Sequence, residues 1–168
     1  MRPEKSKTKS ILLALLIIAV LVINALVIIN AKSEEREYTE CWVLCQPNSF
    51  VNARLNPKKK SIEIARLDCG DNFYTDGKTK GGYIHCFGTG EWGEGWIHKG
   101  YVVYSKPYMP ANQNQTVKSN GRVAARRTIG GNRRCWLKDG QEIKVYMVSE
   151  EWSVTNKGFV QTKFILGE

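Results

Sequence analysis

The chain has 168 residues, of which 42% are hydrophobic, 24% charged and 10% aromatic. This composition excludes an intrinsically disordered chain, because it supplies enough apolar side chains to form a core. The formal net charge is +9, and 21 Lys and Arg against 15 Asp and Glu remain once residues 1–10 and the apolar run that follows them are set aside. Most of the positive charge therefore belongs to the part of the chain that we expect to fold.

The apolar run covers residues 11–30 and contains only two polar side chains, Asn24 and Asn30. As an α-helix with a rise of about 1.5 Å per residue it is about 30 Å long, which is the thickness of the hydrocarbon core of a bilayer. We therefore predict a transmembrane signal anchor over residues 11–31. The length of the run favours a retained anchor over a cleaved signal peptide, and cleavage after Ala31 is the alternative.

The charges on either side of this run predict its orientation. Arg2 and three lysines lie before it, whereas acidic residues outnumber basic ones in the segment that follows it. Because positively charged flanks stay in the cytoplasm, residues 1–10 are predicted to be a cytoplasmic tail, and everything after the anchor is predicted to be extracytoplasmic. Residues 32–40 are predicted to be an acidic spacer between the membrane and the first folded module.

Beyond residue 40 the sequence shows no long apolar pattern with the period of a helix, and short β-rich runs are separated by Gly, Asn, Asp and Pro. This pattern is typical of an all-β chain with many short strands. The predicted strands cover Ser61–Leu67, Asn72–Thr75, Tyr83–Phe87, Gly95–His98, Glu142–Val148, Trp152–Thr155 and Gly158–Gln161.

An internal repeat divides this β-rich part into two halves. Four short segments recur in the same order, and the offset between the copies falls from 72 to 63 residues, so the first copy has the longer loops. We therefore predict a first module over residues 41–104, a linker rich in Pro, Asn and Gln over 105–120, and a second module over 121–168. The matched segments are Val51–Arg54 with Val123–Arg126, Leu67–Gly70 with Leu137–Gly140, Gly95–Ile97 with Gly158–Val160, and Tyr101–Val102 with Phe164–Ile165.

The repeated segments resemble the bacterial SH3-like (SH3b) domain family. The resemblance is carried by a Val-Asn-x-Arg element at Val51–Arg54, a Leu-x-x-Gly before a β run at Leu67–Gly70, and a Gly-Trp-Ile strand at Gly95–Ile97. The second copy departs from the family pattern at Ala124, where Asn is usual, and at Phe159, where Trp is usual. The resemblance implies two small SH3-like barrels that recognise peptidoglycan or other cell-wall material.

Aromatic and basic residues are the candidates for the core and for ligand binding. Small barrels need large aromatic side chains to fill a limited core, so three aromatic residues with apolar neighbours are predicted to be buried. Three other tryptophans, beside predicted loops or cysteines, and four arginines around one predicted turn are predicted to bind a ligand. The alternatives are that Trp42 covers the base of the first barrel and that the charges are ordinary solvated turn residues. The predicted core residues are Trp96, Trp152 and Phe159, and the predicted ligand-binding residues are Trp42, Trp92, Trp136, Arg126, Arg127, Arg133 and Arg134.

Five cysteines fall in the part that is predicted to be extracytoplasmic. An oxidising compartment favours disulfides, and a bridge stabilises a small domain by roughly 2 to 4 kcal/mol. We single out Cys69 and Cys86 as the candidate pair within the first module, although connectivity does not follow from a sequence, and expect Cys135 to be left over. Five free thiols that act as small apolar side chains are the alternative.

The residue pattern predicts no enzyme, no metal site and no cofactor. His85 and His98 are not spaced with the cysteines as zinc ligands are, and no Cys lies at a strand-to-helix turn beside a His that could activate it. We therefore expect a binding protein of the cell membrane whose partner is peptidoglycan or an anionic wall polymer. The alternatives are a structural subunit that docks on another envelope protein and a non-catalytic regulator of a separate cell-wall hydrolase. Nucleic acid is not an expected partner, because the predicted topology puts the basic patch outside the cell.

Overall fold

The computed structural model describes residues 16–22, 37–90 and 92–167. Residues 16–22 are helical, while the rest of the predicted anchor and the basic tail lie outside the described residues. Among the described residues, no helix has the combined length and apolar character that crossing a bilayer requires. The strands all belong to one compact unit, Tyr38–Glu168.

The first half of this unit forms a sheet of eight short strands. They are β1 (Thr39–Val43), β2 (Phe50–Arg54), β3 (Glu63–Asp68), β4 (Asn72–Thr75), β5 (Thr79–Lys80), β6 (Tyr83–Gly88), β7 (Glu94–His98) and β8 (Val102–Val103). The hydrogen-bonded order is β3-β2-β7-β6-β4-β1-β8, and β5 pairs with β6 beside it. Buried and more exposed positions alternate along β1, β2 and β7, as expected for strands that cover a core with one face. A 3-10 turn, Lys99–Tyr101, leads into β8.

The second half forms a sheet of six strands. They are β9 (Asn114–Thr116), β10 (Arg122–Arg126), β11 (Arg133–Lys138), β12 (Glu142–Val148), β13 (Trp152–Thr155) and β14 (Gly158–Gln161), and a short helix, Lys163–Leu166, follows them. The hydrogen-bonded order is β11-β10-β14-β13-β12-β9. The described part of the chain is thus mostly β, which confirms the predicted fold class at that level.

The two sheets are open, whereas the family resemblance implies closed barrels. Closure of a sheet requires ladder hydrogen bonds between its two end strands. In the described residues β3 and β8 each pair on one side only, and the same holds for β9 and β11. The structure therefore contains two antiparallel sheets with free edges.

The two sheets repeat one another in register. Val51 pairs with Leu67 in the first sheet, and Val123 pairs with Leu137 at the same place in the second. In both hairpins the register shifts just before the last residue of the first strand, and that residue is an arginine. The apolar pairs that identify the repeat in the sequence are therefore cross-strand contacts of the two cores.

The arginine of each repeat makes the same backbone contact. Arg54 Nη1 donates to the carbonyl oxygen of Ser61 at 2.8 Å, and Arg126 Nη1 donates to that of Gly131 at 2.7 Å. Each bond ties the end of the strand to the loop that leads to the next strand. Arg54 therefore stabilises the β2–β3 hairpin, and Arg126 stabilises the β10–β11 hairpin.

Strand β9 extends the repeat into the segment that is predicted to be a linker. Val43 exchanges backbone hydrogen bonds with the turn at residues 70–71, and Val117 does the same with the turn at residues 140–141. Strand β9 pairs with β12 as β1 pairs with β4. The second sheet therefore takes its first strand from residues 105–120.

A third hydrophobic cluster joins the two sheets. Its buried members are Leu44 and Val103 from the first half and Val154 and Phe159 from the second, and each is at most 4% exposed. Backbone contacts reinforce it, because Ile129 N–H donates to the Gly100 carbonyl at 2.8 Å. The two halves therefore share a core.

Two equivalent glycines allow close approach of strands. A Cβ atom on Gly95 would lie 3.0 Å from the Arg54 carbonyl oxygen, and one on Gly158 would overlap the Arg126 carbonyl oxygen. Gly158 also has a φ of +122°, which L side chains rarely adopt. A glycine is thus required at the second position.

Replacing Gly158 with alanine is expected to lower the free energy of unfolding by roughly 1 to 3 kcal/mol, because the new methyl group meets the Arg126 carbonyl in a strained backbone conformation. Gly121→Ala is the matched control, since no atom lies within 4 Å of the place its methyl group would take, and it should change stability by about 0.5 kcal/mol or less. Denaturant unfolding followed by tryptophan fluorescence measures both. Equal effects of the two substitutions would contradict the close approach.

A buried carboxylate organises the turn before β5. Asp76 Oδ2 lies 3.0 Å from Lys78 Nζ and 3.2 Å from His85 Nδ1, and the Asp76 side chain is 5% exposed. Burial alone raises the pKa of this carboxyl, but the hydrogen bonds from Lys78 and His85 outweigh it and hold the pKa at about 2. The charged form is therefore favoured in the folded chain.

Asp76→Asn is expected to lower the free energy of unfolding by about 1 to 3 kcal/mol near neutral pH, because it removes a charged hydrogen-bond acceptor. The folded pKa lies below the unfolded value of about 3.9, so this stabilisation is present above pH 4 and is lost as the pH falls towards 2. Unfolding curves at several pH values should show the gap between the natural chain and the variant closing over that window. A gap that is independent of pH, or one matched by the exposed Glu150→Gln control, would show that the charge has no such role.

Candidate binding cleft between the two sheets

A cleft of about 490 Å³ lies where the two sheets meet. Asn52, Tyr83 and His98 line it from the first half, and Arg127 and Arg134 line it from the second. A concave site of this volume can enclose a short peptide or a small molecule. The site depends on both halves, since neither supplies all of these side chains.

The wall from the first half presents aromatic rings and a neutral histidine. Tyr83 and His98 contact each other edge to face, with ring centroids 5.3 Å apart. Burial lowers the pKa of His98, and the neighbouring Lys99 lowers it further. His98 Nδ1 accepts a hydrogen bond from Gly100 N–H at 3.2 Å, so the ring proton of the neutral form is assigned to Nε2. His98 is therefore a hydrogen-bond donor in a site where it carries no charge.

Asn52 places an unsatisfied acceptor in the same wall. Its Oδ1 atom is buried and has no hydrogen-bond partner among the described residues. A buried acceptor left in this state costs roughly 1 to 3 kcal/mol. Asn52 therefore lowers the stability of the fold, whereas Ala124 at the equivalent position of the second repeat does not.

The rim of the cleft is basic. Arg127, Arg134 and Lys59 are exposed along it, and none of the described residues that line the cleft is acidic. Arg54 also lines the cleft, but its guanidinium is engaged by the Ser61 carbonyl and by Glu63 Oε1 at 3.0 Å. The charges that remain available are at the rim, where they attract anions over distances of about a Debye length.

The four predicted arginines do not form one patch. Arg127 and Arg134 line the cleft. Arg126 is held by the Gly131 carbonyl and lines a separate cavity of about 210 Å³. Arg133 lies over the ring of Trp136, with its guanidinium carbon 4.4 Å from the ring centroid. Arg126 pairs with Arg133 and Ala125 pairs with Cys135, so Arg134 is the extra residue of a β-bulge, and a bulge re-aims side chains.

The three tryptophans that are predicted to bind a ligand lie away from the cleft. Trp136 is 47% exposed, on the face of β11 that carries Arg133. Trp92 packs against the first core, and Trp42 packs against the cluster between the sheets. The aromatic groups of the cleft are instead Tyr83, Tyr101, Phe50 and Phe159.

Of the three aromatic residues predicted to be in the core, one is fully enclosed. Phe159 is 2% exposed and belongs to the cluster between the sheets. Trp152 is partly buried against the same cluster, and Trp96 is partly buried with its ring 4.9 Å from that of His85. Trp152 thus covers that cluster from its edge, whereas Trp96 packs against His85.

All five cysteines are free thiols. Cys86 lies at the centre of the first core with Cys41, and burial raises the pKa of each to about 12. Cys69, the predicted partner of Cys86, has its sulfur against the backbone of Cys45. Among the described residues, no three His, Cys, Asp or Glu side chains converge as metal ligands do.

No protein-family model and no curated protein matches the chain. Two solved structures are similar to it, those of NlpC1 and NlpC2 from Trichomonas vaginalis. The first is 14% identical over 82% of this chain and the second 11% identical over 79%, each with a TM-score of 0.36. The matches cover 49% of each of those chains, so this chain corresponds to about half of their length. Similarity at this level does not place the chain in a family.

Proposed function

We propose that the chain is a membrane-anchored, extracytoplasmic binding protein that recognises peptidoglycan or other anionic cell-wall material. In this proposal the two sheets are tandem SH3-like modules, and the cleft between them is the binding site. The observation that carries the proposal is a cleft with a basic rim and aromatic walls, with no acidic residue among its described lining.

The sequence supports the position of the cleft relative to the membrane. The apolar run at residues 11–30 has the length of a bilayer core, and the basic residues precede it. A retained anchor of that orientation carries the folded unit on the outer side, within reach of the wall. The excess of basic residues in that unit then faces an environment rich in anionic polymers.

The chemistry of the cleft suits the peptide part of a wall polymer. Such peptides combine backbone N–H groups with free carboxylates. A carboxylate can bond to Arg127 or Arg134 with the strength of a charge-assisted hydrogen bond, and Asn52 lines the same cleft. The tyrosine rings supply apolar area for the groups in between.

The side chains of the cleft favour binding over catalysis. Cys45 and His98 both line it. The Cys45 thiol donates to the Ser49 carbonyl at 3.4 Å, and its contact with Cys69 and burial raise its pKa. His98 Nδ1 is occupied by the Gly100 N–H group. A thiol kept protonated and not bonded to a base is a poor nucleophile, so we propose that the chain is not an enzyme.

Arg127→Ala and Arg134→Ala should each weaken retention on insoluble peptidoglycan about 10-fold, because each removes a charged hydrogen-bond donor worth about 1.5 kcal/mol or more. Arg133→Ala is the matched control, since it removes the same charge from a side chain that lies over Trp136. A pull-down with the purified chain across a salt series measures all three, and specific recognition should survive high salt. Equal losses of retention for the three variants would show that net positive charge alone, and not the cleft, accounts for binding. No retention at any salt would contradict the proposal and favour a protein partner.

Asn52→Ala is expected to weaken binding to peptidoglycan without lowering the free energy of unfolding. The second repeat carries Ala124 at the equivalent position, so alanine fits the strand. Removing the unsatisfied acceptor should leave the free energy of unfolding unchanged or raise it by up to about 1 kcal/mol, while retention on peptidoglycan falls. Thermal unfolding and the same pull-down test the two halves of this prediction. A variant that binds as well as the natural chain would remove Asn52 from the site.

A further inference from the structure

Two cysteines of the first half lie in contact. Cys45 follows β1, and Cys69 lies in the turn between β3 and β4. The Cys69 thiol donates to the Cys45 carbonyl oxygen at 2.9 Å, and its sulfur accepts from Cys45 N–H at 3.1 Å. The Cys69 sulfur is thus seated against the backbone of the other cysteine.

The second repeat has a carboxylate in the place of this sulfur. Asp139 Oδ1 accepts from Ser119 N–H at 2.8 Å, in the turn between β11 and β12. A second hydrogen bond is also equivalent in the two turns. Asp71 Oδ2 accepts from Asp68 N–H in the first, and Gln141 Oε1 accepts from Lys138 N–H in the second. Cys45 and Cys69 therefore correspond to Ser119 and Asp139, and the turn provides a site for an anionic acceptor.

The two thiols differ in pKa and in exposure, which makes Cys69 the more reactive and Cys45 the more protected. A side-chain hydrogen bond between the two thiols, assisted by Cys45 N–H, lowers the pKa of Cys69 to about 7 against the opposing effects of burial and of Asp71 and Asp68. The same bond between the thiols, together with burial, raises the pKa of Cys45. Cys69 is partly exposed and lines a cavity of about 390 Å³ beside Lys144 and Met147. An oxidant can therefore reach Cys69, whereas Cys45 is 2% exposed.

We propose that Cys45 and Cys69 form a redox-active pair that is converted to an intramolecular disulfide by a small-molecule disulfide. The Cys69 thiolate attacks one sulfur of the oxidant, a mixed disulfide forms, and one thiolate of the oxidant leaves. The released thiolate takes the proton of the Cys45 thiol, and the Cys45 thiolate attacks the Cys69 sulfur, which releases the second thiolate. The two cysteines are oxidised by two electrons, and the external disulfide is reduced to two thiols.

The bond closes a loop that contains one wall of the cleft. Asn52 and Phe50 lie in the segment between the two cysteines, and Cys45 itself lines the cleft. Cross-linking residues 45 and 69 restricts the unfolded chain and this segment together. The pair is thus a modification site with a structural consequence, whatever the ligand of the cleft is.

The test uses the full chain in mild detergent, incubated with oxidised or reduced glutathione and then alkylated with iodoacetamide under denaturing conditions. Chymotrypsin cuts after Trp42, which separates Cys41 from Cys45 for mass spectrometry of the digest. We expect one linkage, between Cys45 and Cys69, in the oxidised sample and alkylated thiols at both positions in the reduced one. A linkage of Cys69 to another cysteine, or a Cys69 that stays fully alkylated after oxidation, would overturn the proposal.

A second measurement uses variants that keep the turn. Cys45→Ser with Cys69→Asp reproduces the residues of the second repeat, so it should fold and show no change in melting temperature between the two glutathione conditions. The natural chain and the Cys135→Ser control should melt about 5 to 10 °C higher when oxidised. An equal rise in the double variant would assign the effect to other thiols and overturn the proposal.

Discussion

The packing of Leu44 and Val103 against Val154 and Phe159 is the contact on which the rest of the structure depends. Each sheet has its own small core, and a core of that size is marginal for independent stability. Sharing a third cluster enlarges the apolar area that is removed from water and fixes one sheet against the other. The cleft follows from this arrangement, because its walls come from different sheets and keep their separation only while the cluster holds.

The duplicated framework shows which positions are free to differ. Backbone pairing, the strand-end arginines and the close-approach glycines are the same in both halves, so they serve the fold. The copies differ at two equivalent places of that framework. The first half has Asn52 where the second has Ala124, and Cys69 where the second has Asp139. Neither difference is needed to build a sheet, since the other copy builds one without it. Chemistry specific to the first half is therefore concentrated where the copies diverge.

Strands β4, β12, β13 and β14 have the predicted bounds, because each is a short run of β-forming residues next to turn residues. Strand β9 is not predicted, because Asn114, Gln115 and Thr116 form an edge strand with no buried side chain. The cleft is not predicted either, since it joins segments about 75 residues apart whose meeting depends on the shared cluster. The sequence shows the charge of Arg127 and Arg134, which line the cleft, whereas the exposure of a tryptophan depends on neighbours that a linear pattern does not reveal.

The segment from Cys45 to Arg54 connects the two chemical features of the first half. It begins at the cysteine that contacts Cys69, passes through Phe50 and Asn52 in the cleft wall, and ends at the arginine that fixes the hairpin. A constraint at one end of so short a segment changes the conformations that are open to the other end. Coupling between two sites is reciprocal in free energy, so any preference of a ligand for the disulfide form is matched by an equal stabilisation of that disulfide by the ligand.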